Sequence, residues 1–229
     1  MIPDLIVALD LKDAAEALKV VDALGGDATW YKVGAMLFVG DGPAVVRELV
    51  GRGKRVFLDL KWHDIPNSVA GAVAAAGGLG VRLATVHLAG GARMLAAAAE
   101  ARRDGMKLVG VGVLTSFGPA EYGEVVGRVV NDLAVEQRCL VERGMRAGLD
   151  GFVTAAAEAP AVRTLAGSGA VLVVPGIRRA GDAAGDQRRV ATPAEAARSG
   201  ADLLVVGRPV TGASDPSATL RAIREEMAS

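Results

Sequence analysis

A chain of 229 residues is long enough for one large core, and 51% hydrophobic residues with only 3% aromatics mean that Val, Leu and Ala must build it. Lys plus Arg (26) equals Asp plus Glu (26), so no chain-wide field favours nucleic acid or an anionic membrane surface as partner. The single cysteine excludes an internal disulfide, and its place in an amphipathic stretch makes Cys139 an expected buried core thiol.

The start, Met1-Ile2-Pro3-Asp4, has neither the basic region nor the apolar stretch of a signal peptide, and no apolar run reaches membrane-spanning length. A cytoplasmic protein is expected. Eight short apolar segments then follow at residues 5–9, 29–33, 56–60, 83–88, 108–114, 151–154, 171–174 and 203–206. Each precedes a stretch with helical periodicity, the pattern of parallel strands joined by crossover helices. Eight such units predict a closed (β/α)8 TIM barrel, one domain over residues 1–229. An open doubly wound sheet is the alternative, but the first strand ends in Asp10-Leu11-Lys12 and not in the Gly-x-Gly turn such a sheet often carries.

In a barrel, chemistry belongs at the carboxyl ends of the strands. Asp10 ends the first strand there and Lys32 lies near the end of the second; either alone reads as a surface residue at a loop edge. The third strand, Val56-Phe57-Leu58, runs into Asp59-Leu60-Lys61-Trp62-His63-Asp64-Ile65-Pro66-Asn67-Ser68 before the Ala- and Val-rich helical stretch 69–76. Alternation puts Asp59 and Lys61 on one face, where charges are costly unless paired or used, so a structural ion pair and a reactive site are both open readings. Asp64 before Ile65-Pro66 also suits a helix cap. His87 ends the fourth strand as a hydrogen bonder, and Thr115-Ser116 follow the fifth.

Helix starts support this register. Residues 119–126 read as an extra helical excursion before a long helix at 131–147. Thr192-Pro193-Ala194-Glu195 is a capping box, and Asp215-Pro216 opens the last helix in a similar way. After strands seven and eight stand Gly176-Ile177-Arg178 and Gly207-Arg208, each a glycine followed by a guanidinium. Barrels often bind phosphate with these two loops, since glycine admits backbone amides and Arg adds bidentate charged bonds; ordinary turns are the alternative. The long connection 179–191 reads either as a solvated loop or as a lid, in which Gln187 could donate its amide to phosphate.

The run Asp59 to Ser68 resembles the signature of orotidine 5'-phosphate decarboxylases, an Asp-x-Lys-x-x-Asp motif continuing into His-Asp-Ile-Pro-Asn. The likeness extends through Asp10, Lys32, Leu114-Thr115-Ser116, Pro175-Gly176-Ile177-Arg178, Gly185-Asp186-Gln187 and Gly207-Arg208-Pro209. It implies decarboxylation of orotidine 5'-phosphate to uridine 5'-phosphate with no cofactor and no metal, in a barrel homodimer whose sites lie at the subunit interface. By that resemblance Asp59 and Lys61 form a charged catalytic network with the partner's Asp64, while Ile65 and Ser68 also reach the partner's substrate. Asp10 and Lys32 then hold ribose hydroxyls, Ser116 beside Thr115 contacts the pyrimidine, and Gln187, Gly207 and Arg208 grip phosphate with Arg178 nearby. Departures are small: Ser68 stands where Thr is usual, Val210 where Ile is common and Trp62 where Phe is frequent. A related metal-dependent sugar-phosphate decarboxylase or aldolase is the alternative, but such relatives need a carboxylate near the end of the second strand, where this chain has Lys32.

Overall fold

Side chains alternate along a strand, so in a closed sheet one set faces the barrel axis and the other faces the helices. The computed structural model describes residues 2–103, 105–181 and 189–228. Strands β1 (Asp4–Ala8), β2 (Trp30–Gly34), β3 (Arg55–Trp62), β4 (Leu83–His87), β5 (Lys107–Val111), β6 (Gly151–Val153), β7 (Val171–Val174) and β8 (Leu203–Val206) pair in parallel in chain order. Pairing of Val7 with Val206 and its neighbours closes β8 onto β1. The expected (β/α)8 TIM barrel is the observed one.

Helices α1 (Ala14–Leu24), α2 (Ala35–Gly51), α3 (Pro66–Gly78) and α4 (Gly91–Glu100) cover the first half. They are followed by α5 (Pro119–Val126), α6 (Leu133–Arg146), α7 (Ala159–Ala166), α8 (Pro193–Arg198), α9 (Arg208–Thr211) and α10 (Pro216–Met227). α2 is interrupted at Gly42, whose combination of φ 45° with ψ −135° suits glycine, and Pro43 restarts the helix beyond it. Asp41 just before that break accepts the Ala14 N–H at 2.6 Å, tying α2 to the start of α1. No helix among the described residues is long and apolar enough to cross a membrane.

Two apolar layers result. The larger lies between strands and helices and includes Leu5, Val7, Tyr31, Leu58, Val86 and Leu204 with the buried helix faces. The smaller fills the barrel axis with Ile6, Trp30, Phe57, Leu83, Val109 and Val173 and their neighbours. Each such side chain removed from water contributes roughly 1.5–3 kcal/mol, so the lumen is a packed core and not a pore. At its amino-terminal end the Arg55 guanidinium lies over the Trp30 ring at 4.7 Å and bonds Asp4 at 3.2 Å.

Two expectations need correction. The fifth strand stops at Val111 and not at residue 114, because its neighbour β6 offers only three residues, the last pairing Val111 with Val153. Beyond it the chain leaves the ladder, and the Val113 N–H donates instead to the Gln137 side chain at 2.9 Å. Cys139 is exposed and not a core thiol: α6 buries Gln137, Leu140, Val141 and Gly144, a stripe that leaves position 139 on the outer face.

Candidate active site

The inward-facing residues change character as each strand rises toward its carboxyl end. Along β1 the series is Ile6, Ala8, Asp10; along β2 it is Trp30, Lys32, Gly34; along β3 it is Phe57, Asp59, Lys61. Apolar filling thus gives way to charge toward the carboxyl ends of three adjacent strands, with Lys32 level with Ala8 and Phe57, and Asp59 level with Gly34. Facing them across the same opening, the axial residues of β5, β6 and β7 stay aliphatic: Val111, Val153 and Val173. The cavity above the lumen holds about 760 Å³ and so has one charged wall and one apolar wall.

On the charged wall the groups form an alternating chain. Lys32 Nζ donates to Asp10 Oδ1 at 2.7 Å and lies 3.6 Å from Asp59 Oδ2; Lys61 Nζ lies 2.9 Å and 3.0 Å from the two Asp59 oxygens. Side-chain exposure rises outward from 11% at Lys32 and 13% at Asp59 to 39% at Lys61 and 56% at Asp10. Lys32 is therefore a buried brace between two carboxylates, whereas Lys61 faces the open cavity. An ammonium has three donors, and the bonds of Lys61 to Asp59 leave at least one directed away from that carboxylate. Burial by itself pushes the Asp59 carboxyl up, but Lys61, Lys32 and the Thr85 hydroxyl together outweigh it and hold the group below the ordinary aspartate value.

Strict alternation does not produce this geometry. Leu58 pairs with Ala84 and Trp62 with Val86, so β3 advances four residues while β4 advances two. Lys61 sits inside that irregularity with φ 49°, the one positive φ outside glycine among the described residues. Such a backbone costs roughly 1–3 kcal/mol and persists only where its surroundings hold it. It turns the Lys61 amine back against Asp59, while Leu60 and Trp62 pack on the outer core.

Gly34 was not singled out by sequence reasoning, yet it belongs to the site. A Cβ at this position would lie 2.8 Å from Asp10 Oδ1 and 3.0 Å from Lys32 Nζ, so a larger residue here requires the ends of the pair to shift. The signal available in the sequence was its parity: Gly34 is two residues beyond Lys32 and shares its face. Thr85 was missed as well; it stands two residues before His87 in an otherwise apolar strand.

The remaining expected residues divide into three groups. Thr115, Ser116, Gly207 and Arg208 line the cavity with the charged wall, as does the buried Arg178, whose Nη1 donates to the Ile177 carbonyl at 2.8 Å. Asp64, Ile65 and Ser68 do not join Lys61 in this chain: all three are exposed, and Asp64 and Ile65 line a second cavity of about 630 Å³ with His63 and Arg93. Asp64 is not the helix cap either, since Ile65 holds that position and the Asp64 carboxylate accepts the Ile65 N–H at 2.6 Å. Gln187 lies outside the described residues.

His63 and His87 stack at 5.3 Å between ring centroids with planes 12° apart. Burial, then His63, then Lys61 push the His87 imidazole below its ordinary value, so it is neutral near pH 7, and its Nδ1 accepts the Ala89 N–H at 3.2 Å. His87 is thus a strand-end hydrogen bonder, as expected. Among the described residues no three His, Cys, Asp or Glu side chains group to hold a metal ion, and the two carboxylates on the charged wall each pair with a lysine.

Known proteins share this arrangement of chain and barrel. The family model described as "Orotidine 5'-phosphate decarboxylase / HUMPS family" matches residues 3–223. A curated orotidine 5'-phosphate decarboxylase from Sodalis glossinidius is 48% identical over 227 residues, 97% of this chain and 89% of that protein. Its counterpart from Moorella thermoacetica is 47% identical, covering 97% of this chain and 91% of that protein. The crystal structure of orotidine 5'-phosphate decarboxylase from Lactobacillus acidophilus superposes with a TM-score of 0.86 at 33% identity, over 100% of both chains. With the match running from the first strand to the last helix, the chain belongs to the orotidine 5'-phosphate decarboxylase / HUMPS family.

Proposed function

We infer that this chain decarboxylates orotidine 5'-phosphate to uridine 5'-phosphate and CO2 in a single catalytic domain, and that Lys61 carries the chemical step. The observation that carries this reading is the Asp10, Lys32, Asp59, Lys61 chain of alternating charge facing an apolar wall in one cavity. A pyrimidine ring suits the apolar wall formed by Val111, Val153 and Val173. The ribose hydroxyls suit the exposed carboxylate of Asp10 and its partner Lys32, and the phosphate suits Gly207 and Arg208, with Arg178 and Gln187 assigned to the same end. Ser116 is assigned to the pyrimidine, with Thr115 beside it as a further substrate-binding residue.

The chemistry follows from charge. When the bond from carbon 6 to the carboxylate breaks, CO2 leaves and the electron pair stays on a vinylic carbon that the ring delocalises poorly. Enzymes lower barriers by up to roughly 23 kcal/mol for common reactions, and this one belongs near the upper part of that range. A fixed ammonium in a site partly closed to water stabilises the developing carbanion most where it is already in place. Lys61, bonded to both oxygens of Asp59, meets that requirement, and its free N–H then delivers the proton to carbon 6. Asp59 orients the amine, and its ionised state, supported by Lys61 and Lys32, keeps the network charged.

The active unit on this reading is a homodimer. Asp64, Ile65 and Ser68 face outward at the start of α3, and Ile65 exposes 67% of its surface, a placement that suits contribution to a neighbouring subunit's cavity. The test of the activity is direct: the ultraviolet absorbance of orotidine 5'-phosphate is expected to fall on adding the purified protein. No change in absorbance overturns the reading.

A further inference from the structure

Thr85 is buried, lies on β4 and does not line the cavity, yet its hydroxyl touches both ends of the reactive pair. The Lys61 backbone N–H donates to Thr85 Oγ1 at 2.8 Å, and Thr85 Oγ1 lies 3.1 Å from Asp59 Oδ1. The direction of both bonds is forced. An amide can only donate and an ionised carboxylate can only accept, so the hydroxyl receives the first bond and gives its one proton to the second.

The register explains why a side chain is needed there. Between the pairs Leu58 with Ala84 and Trp62 with Val86, β4 has one residue, Thr85, to face three on β3. The ladder has no regular carbonyl for the Lys61 N–H at its positive φ, and the Thr85 hydroxyl takes that place. We propose that Thr85 is a positioning residue, a relay that holds the Lys61 backbone in its left-handed turn and fixes the Asp59 carboxylate against the Lys61 amine. It acts on the reaction through these two residues and does not touch substrate. This inference rests on the decarboxylase reading of the same site.

Substituting Thr85→Val keeps the branched shape and deletes the hydroxyl, whereas Thr85→Ser keeps the hydroxyl. For Thr85→Val, kcat is expected to fall about 10- to 100-fold, the effect of a small misplacement of a reacting group, while KM stays within about threefold. The acidic limb of its kcat/KM profile is expected to move to higher pH, because Asp59 loses a hydrogen bond that favours its charged form. Thr85→Ser is expected to restore all three quantities to within about threefold of the unaltered protein. A Thr85→Val enzyme with unaltered kcat and acidic limb overturns the proposal, and so does a Thr85→Ser enzyme as impaired as Thr85→Val. If Thr85→Val does not fold, hydrogen exchange at the Lys61 amide of the unaltered protein decides the matter. Protection is expected, and exchange at the rate of an open amide refutes the contact. That amide measurement needs no turnover, so an unaltered protein inactive on orotidine 5'-phosphate overturns the decarboxylase reading while the relay is judged separately.

Discussion

On the proposed reading, Lys61 concentrates the chemistry in one amine. Substituting Lys61→Ala is expected to leave nucleotide binding near its unaltered strength while kcat falls by about 10³-fold or more, since both the fixed charge and the proton donor are lost. Binding by calorimetry beside turnover by absorbance checks this, and near-normal turnover removes Lys61 from the mechanism. Gly34→Ala makes a more local test. The new methyl meets Asp10 and Lys32 within 3.0 Å, and the extended backbone there, φ −94° and ψ −179°, accepts alanine without strain. The protein is expected to fold, with kcat/KM lower by about tenfold or more as the pair is pushed apart. Asp59 sets an acid dependence of stability. Its folded value is depressed, so the stabilisation is present above the ordinary value near pH 4 and is lost as pH falls through the depressed one. As pH falls below about 4, urea midpoints are expected to fall less steeply in Asp59→Asn than in the unaltered protein; identical slopes would contradict the linkage. At this scale the sequence disclosed the pairing of Asp59 with Lys61 through their spacing. It concealed the positive φ of Lys61 and the hydroxyl of Thr85, because both depend on how two strands distant in sequence slip past each other.

Elements were most legible where local chemistry sets their ends. Pro119–Val126 forms at the expected bounds, Thr192 and Glu195 exchange their capping bonds at 3.3 Å and 2.8 Å, and Asp215 accepts the Ala218 N–H at 2.9 Å to start α10. Asp215→Ala is expected to cost about 1 kcal/mol of stability by urea denaturation with kcat/KM unchanged, because α10 buries Leu220, Ile223 and Met227 far from the charged wall. Elements whose ends depend on a neighbour were less legible. β5 stops with its three-residue partner β6, and no local pattern in residues 108–114 reports the length of a strand some 40 residues later. Cys139 was misjudged for a related reason: amphipathic periodicity locates a helix, while the stripe that is buried is chosen by the elements packed against it.

At the scale of the molecule, the closed barrel brings residues 10, 32, 59 and 61 to one mouth from three strands; parity made Asp10, Lys32 and Asp59 readable in advance, whereas Lys61 reaches it through a break in alternation. On the proposed homodimer, the outward-facing Asp64 acts only through a second copy. Lys61→Ala and Asp64→Ala proteins are each expected to be nearly inactive. Mixing and reassembling them in equal amounts is expected to recover about one quarter of the unaltered activity, since half the dimers are mixed and each then carries one intact site. No recovery on mixing, with exchange of subunits demonstrated, would place Asp64 outside the shared site. Arg208→Ala is expected to reduce kcat/KM for the phosphorylated substrate about 10- to 100-fold, the value of a charged hydrogen bond to phosphate, and an unchanged kcat/KM refutes that role. The most direct test of catalysis by fixed charge alone is the rate of orotidine 5'-phosphate decarboxylation after exhaustive chelation. Turnover equal to that before chelation is expected, and a rate that disappears and returns with added magnesium would contradict it.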